Sequence, residues 1–195
     1  SSAASDVYKR QHEDILNLVK NKTPKYGNDD DYADDIMVSV FNEYKDYITG
    51  RPTTRGGVYH VDMLPTTCHV YFGDVMIASP NGRLAHIPLS EGISPEKGAD
   101  INGPTAVVKS CSKMNHCETG GTLLNQKFTP AAIAGEKGID NLAALIRSYF
   151  AMNGHHMQFN VIDRQTLIEA QKNPEEYKEL IVRVAGYSDY FRNLD

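Results

Sequence analysis

Apolar and polar positions repeat with two different periods along the chain, and the changes between them mark its elements. From about His12 a short helix is expected toward Lys22. Pro24 ends it, because the proline ring clashes with the preceding turn and brings no amide hydrogen. Asn28 to Asp31 then supplies an N-capping side chain and first-turn carboxylates for a long helix. Its apolar face is Tyr32, Ile36, Met37, Val40, Phe41, Tyr44 and Ile48. Gly50 and Pro52 close it.

Further along, Thr66 to Phe72 and Val75 to Ala78 read as strands leading to a turn at Pro80-Asn81-Gly82. A Gly- and Pro-rich loop covers Pro88 to Pro104. Helix and strand then alternate: a helix from Thr105 to Lys113, a strand from Thr122 to Phe128, and a helix from Asp140 to Phe150. The last carries Leu142, Leu145, Ile146, Tyr149 and Phe150 on one face. Met157 to Ile162 reads as a strand, Asp163 to Gln171 as a helix interrupted by Asn173-Pro174, and Leu180 to Val184 as a final strand. Such alternation predicts an α/β fold. The chain contains no internal repeat and no low-complexity tract.

Composition narrows the function classes. With 195 residues, 41% hydrophobic and 23% charged, the chain has the proportions of one core-forming globular domain. A net charge of −5 and the lack of lysine or arginine runs argue against nucleic acid or an anionic membrane as a partner. No apolar stretch approaches the length of a membrane span and no secretory signal pattern opens the sequence, so a cytoplasmic location is expected.

Cys68, Cys111 and Cys117 are too few and too irregularly spaced for a secreted disulfide framework. On one helix, Cys111 and Cys117 would lie about 120° apart at 3.6 residues per turn. No C-x-x-C clamp is present. His155 and His156, adjacent in an expected strand, would point to opposite faces. No metal site is therefore expected.

The most informative stretch is Leu180-Ile181-Val182-Arg183-Val184-Ala185-Gly186-Tyr187-Ser188-Asp189-Tyr190-Phe191. A glycine inside a strand pattern by itself marks a bulge, a bend or a close backbone approach. This segment, however, resembles the radical-bearing loop of the glycyl radical enzymes, the pyruvate formate-lyase-like superfamily. Arg183, Val184, Gly186 and Tyr187 occupy the positions of its Arg-Val-x-Gly-Tyr/Phe signature. The resemblance continues upstream through Met63-Leu64-Pro65, Ser79-Pro80-Asn81-Gly82-Arg83, Pro88-Leu89-Ser90-Glu91-Gly92-Ile93-Ser94-Pro95 and Gly103-Pro104-Thr105-Ala106. It ends with the block from Gly120 to Phe128 and with Gln158-Phe159-Asn160-Val161.

The resemblance implies that Gly186 is the catalytic glycine, losing a Cα hydrogen to store an unpaired electron. A Cα radical flattens and delocalises into the adjoining amides, which suits a residue without Cβ. Arg183, Val184, Ala185, Tyr187 and Ser188 would form the radical loop, and Val182, Val184, Tyr190 and Phe191 would shield it from water and oxygen. Arg183 has two readings: an anchor bound to a carboxylate or carbonyls, or a solvated residue on an alternating strand. Leu64, Pro65 and Thr66 would face the barrel lumen as a possible substrate wall; the plain alternative is a strand start.

By the same resemblance, the fold is the C-terminal portion of a ten-stranded pair of half-barrels with surrounding helices and a glycyl radical finger loop. Residues 1–11 resemble a non-native adaptor scar, 12–119 the end of the barrel domain, and 120–195 a glycine radical domain cut short at its C-terminus. The implied activity is a glycyl radical lyase, most similar to dehydratases of small diols or hydroxylated amino acids. The radical is installed on Gly186 by a radical S-adenosylmethionine activating enzyme, no cofactor is bound, and the complete protein is a homodimer acting on a small molecule. The family's Gly-Cys-Val-Glu type loop does not occur in this sequence, so the chain alone is expected to be inactive. Alternatives are a stand-alone glycyl radical module that repairs a damaged lyase, or a formate acetyltransferase or decarboxylase of the same superfamily.

Overall fold

A computed structural model describes residues 13–183 and 187–193. Helix α1, Glu13–Asn17, runs on as a π-helical turn, Leu18–Lys22, which closes when Thr23 donates its amide to the Leu18 carbonyl at 2.9 Å. Helix α2, Asp31–Ile48, begins where Asp30 accepts from the Ala33 amide at 3.3 Å. The side-chain carboxylate thereby satisfies an N-terminal donor that has no partner within the helix.

The apolar face expected of α2 divides. Phe41 is buried, and Met37 and Ile48 pack against the core, but Tyr32, Ile36, Val40 and Tyr44 are exposed. The stripe is wider than the contact that one neighbouring helix can cover. A second expectation is overturned in kind. Thr66 to Phe72 and Val75 to Ala78 do not form strands; helix α3 spans Cys68–Val75 and an irregular segment follows. The reason is tertiary: Gly73 sits so close to the next loop that a Cβ there would be 2.5 Å from the Ile87 carbonyl oxygen and the Pro88 Cα. A helix presents that bare backbone to the loop, and Leu89 donates to the His69 carbonyl at 3.0 Å.

Helix α4, Pro104–Ser112, starts with proline in the first turn, where its missing N–H costs nothing. Strand β1, Leu124–Phe128, is followed by helix α5, Gly135–Ala151, and strand β2, Met157–Val161. The two strands are parallel in the register Leu124↔Met157 to Phe128↔Val161, so β1–α5–β2 is a crossover unit. Helix α6, Arg164–Lys172, is capped by Asp163, which accepts from the Thr166 amide and hydroxyl, each at 2.8 Å. Strands β3, Ile181–Arg183, and β4, Ser188–Tyr190, form an antiparallel hairpin. The architecture is mixed α/β, as expected. No helix among the described residues is long and apolar enough to cross a membrane.

The core lies where α2, α4 and α5 meet the start of β1. Phe41, Val107, Val108, Cys111, Met114, Leu124 and Tyr149 are buried together there. Asp34 is also fully buried, and accepts from Ser110 Oγ at 2.8 Å and from Lys113 Nζ at 2.7 Å. This carboxylate joins α2 to α4 through an enclosed bond to Ser110 and a partly exposed one to Lys113. Burial opposes charge on Lys113, but its bonds to Asp31 and Asp34 outweigh that and hold its pKa above the ordinary lysine range.

Candidate functional site

The site is built outward from β2. Because side chains alternate across a strand, Gln158 and Asn160 share one face while Met157, Phe159 and Val161 share the other. Phe159 meets Phe128 of β1 edge-on, with ring centroids 5.5 Å apart. The polar face meets the β3–β4 hairpin. Asn160 Oδ1 accepts from the Arg183 amide at 2.9 Å, and Asn160 Nδ2 donates to the Arg183 carbonyl at 2.8 Å. Arg183 Nε donates to Gln158 Oε1 at 3.1 Å, and its Nη1 donates to Ser188 Oγ at 3.3 Å.

Arg183 and Ser188 are also register partners, the last pair before the hairpin closes. The guanidinium therefore spans the base of the loop. Arg183 has features of both readings: its guanidinium bonds a side-chain amide and a hydroxyl, and the residue is exposed. Asn160 and Gln158 were legible only as parts of a sequence block. The signal that could have singled them out is the polar pair at i and i+2 in an otherwise apolar strand.

Gly186, Val184 and Ala185 lie outside the described residues. Tyr187, on the far side of the loop, is exposed. Of the expected shielding residues, Val182 and Phe191 are half-buried and Tyr190 is exposed. Phe191 donates its amide to the Leu180 carbonyl at 2.8 Å, closing the open end of the hairpin. Among the described residues, the arrangement holds both backbone polar groups of Arg183.

Leu64, Pro65 and Thr66 form the turn that enters α3, where the Pro65 carbonyl accepts from the Cys68 amide at 2.8 Å and Thr66 takes a φ of 55°. The strand-start alternative therefore fails. Met63 bridges Thr122 in parallel, and Gly121 and Leu123 turn their carbonyls toward Met63 and Ile93. Phe128 turns its carbonyl the other way, to Ile162 beyond β2. Met63 and Leu64 thus lie beside the segment Gly121 to Thr122 that leads into β1, whereas the Arg183 clasp lies on β2.

The cysteines divide by exposure: Cys68 and Cys117 are exposed and Cys111 is buried. Burial pushes the Cys111 thiol up to about 12, against the opposing effect of its hydrogen bond with Tyr26. A thiol so hard to ionise is a core side chain, not a nucleophile. His155 and His156 precede β2 instead of lying within it. The His155 ring is 5.8 Å from that of His116, whose two nitrogens already meet Thr122 Oγ1 and the Cys111 carbonyl, each at 2.9 Å. Among the described residues no group of three or more His, Cys, Asp or Glu side chains could hold a metal ion.

A parallel β–α–β unit with a hairpin clasped to it, carrying Arg-Val-Ala-Gly-Tyr, defines the class. The chain belongs to the glycyl radical enzymes: the family model described as glycine radical matches residues 89–192, and that described as pyruvate formate lyase-like matches residues 7–73. The family feature is a glycyl radical installed after translation. Among individual proteins, the chain is 68% identical over 191 residues to the trans-4-hydroxy-L-proline dehydratase of Clostridioides difficile, covering 98% of this chain and 24% of that protein. The crystal structure of hydroxyproline dehydratase from that organism, with substrate bound, matches with a TM-score of 0.95 and 66% identity over 99% of this chain and 25% of that one. The glycerol-bound B12-independent glycerol dehydratase from Clostridium butyricum matches with a TM-score of 0.91 and 45% identity, over 98% of this chain and 25% of that one. The chain spans about a quarter of the length of these relatives.

Proposed function

We propose that this chain supplies the radical-storing part of a glycyl radical lyase, a dehydratase whose substrate is a small hydroxylated amino acid of the hydroxyproline type. The observation that carries this reading is the 68% identity to a hydroxyproline dehydratase over 98% of the chain. Residues 12–119 end the barrel domain, a ten-stranded pair of half-barrels, and 120–195 form the glycine radical domain with its finger loop.

Gly186 is the radical site and Arg183, Val184, Ala185, Tyr187 and Ser188 are its loop. A radical S-adenosylmethionine activase removes one hydrogen atom from the Gly186 Cα. The stored radical then takes a hydrogen atom from a cysteine thiol, for which none of Cys68, Cys111 and Cys117 has the sequence context. The thiyl removes a hydrogen atom from the carbon beside the substrate hydroxyl, and the hydroxyl departs as water after protonation by a carboxylic acid. The resulting product radical takes a hydrogen atom back from the thiol, which returns the radical to Gly186. Leu64, Pro65 and Thr66 contribute substrate wall. The working protein is a cytoplasmic homodimer that needs no bound cofactor. The pyruvate formate lyase-like match over residues 7–73 supports a barrel enzyme over a stand-alone repair module.

Electron paramagnetic resonance of the full chain, activated without oxygen, tests the assignment. A glycyl doublet is expected, and air should then cut the chain at Gly186. A doublet that survives Gly186→Ala would overturn the site. Incubation with trans-4-hydroxyproline, glycerol, propane-1,2-diol and pyruvate with coenzyme A tests the substrate. Loss of water from hydroxyproline supports the reading, and formate from pyruvate overturns it.

A further inference from the structure

We propose that Asn160 is a polar latch, assisted by Gln158, that fixes the Arg183 end of the glycine loop and so acts as a positioning residue for the radical. The proposal rests on the reading of Gly186 as radical site. The Asn160 amide makes both bonds that a neighbouring strand would make to one residue: it accepts from the Arg183 N–H at 2.9 Å and donates to the Arg183 carbonyl at 2.8 Å. Strands β2 and β3 share no regular ladder in the described sheets, which pair β1 with β2 and β3 with β4. One side chain thus replaces a rung of sheet between them. Gln158, two residues earlier on the same face, holds the guanidinium, which reaches on to Ser188.

Apolar burial does only part of this work: Val182 and Phe191 are half-buried, but Ile181, its register partner Tyr190 and Tyr187 are exposed. The hairpin is therefore oriented in good part by directional hydrogen bonds, which exchange for water at little net cost, while opening a packed core would be expensive. Such a latch sets the loop sharply when closed and releases it without unfolding its surroundings. Both properties suit a glycine that must be held for chemistry and yet be reached by an activating protein.

Asn160→Asp in the full chain is the test, because it keeps size and the acceptor for the Arg183 N–H but sets an oxygen against the Arg183 carbonyl. Hydrogen–deuterium exchange of unactivated protein should show protection over 181–190 falling about tenfold, with α5 unchanged. Lowering the pH until the introduced carboxyl is protonated restores a donor, so protection relative to the parent at the same pH should return. A merely space-filling side chain would show no such recovery. Unchanged protection over 181–190, or a loss that persists when the carboxyl is protonated, would overturn the latch. Should Asn160→Asp unfold the chain, Asn160→Ser must show the same local loss, and parental protection there refutes the proposal. After activation, the radical in Asn160→Asp should decay several-fold faster than in the parent. A doublet surviving Gly186→Ala would defeat the radical assignment while leaving the exchange result intact, so the two failures are distinguishable.

Discussion

Removing the Asp34 carboxylate tests how the platform beneath the crossover unit is held. Asp34→Ala deletes the acceptor of Ser110 Oγ at 2.8 Å and of Lys113 Nζ at 2.7 Å, and a weaker contact from the Gly27 amide at 3.4 Å. Hydrogen bonds to a charged group are worth about 1.5–3 kcal/mol each. Ser110 is fully buried and loses its acceptor, so its bond counts in full. Lys113 keeps Asp31 at 2.6 Å and Asp29 at 3.6 Å and is partly exposed, so its loss is nearer the ~1 kcal/mol of a surface pair. The expected destabilisation is about 2–4 kcal/mol. In urea, followed by circular dichroism, an m-value of roughly 2 kcal/mol/M converts this to a midpoint lowered by about 1–2 M. Ser110→Ala in the parent and in the Asp34→Ala background should couple by about 1 kcal/mol or more. A loss below about 0.5 kcal/mol, or strict additivity with Ser110→Ala, would refute the reasoning.

Iodoacetamide at pH 8 should label Cys68 and Cys117 in the folded protein and spare Cys111, whose thiol burial pushes up to about 12; peptide mass spectrometry showing equal labelling of all three would refute the enclosed position. Burial also holds the His116 imidazole below the usual histidine range, against the opposing pull of its bond to the Cys111 carbonyl. The unfolded chain binds that proton near pH 6.5, about the ordinary value, so stability is full above that pH and falls as pH drops from there toward the native value. Urea midpoints measured across that window should lose this slope in His116→Gln, and an unchanged slope would count against it.

Much of the fold was legible because its signals are local. The capping segment Asn28 to Asp31 and the spacing from Tyr32 to Ile48 placed α2, and the helices expected from Thr105 and from Asp163 start within one residue of the observed α4 and α6. The segment from Thr66 to Ala78 misled because its threonine, valine and aromatic side chains favour strands. Those preferences are weak beside the contact that brings the Gly73 backbone against Ile87 and Pro88. The candidate site was legible in part. Arg183 stood out as a charge in an apolar run, but its partners Gln158 and Asn160 are 25 and 23 residues away. Nothing in their local spacing points to an arginine.

By itself the sequence determined what depends on covalent chemistry and near neighbours: a glycine at position 186 within Arg-Val-Ala-Gly-Tyr, the helix caps, and the two hydrophobic periods. Steric limits and capping bonds act within a few residues, so they can be read wherever the chain later lies. Only the tertiary structure decided that α3 is a helix, that α2 buries Phe41 but leaves Tyr44 exposed, and that the amide of Asn160 serves as a strand for Arg183. Each of these depends on a contact between segments remote in sequence, and such contacts exist only once the intervening chain has folded and brought the partners within hydrogen-bonding or van der Waals reach.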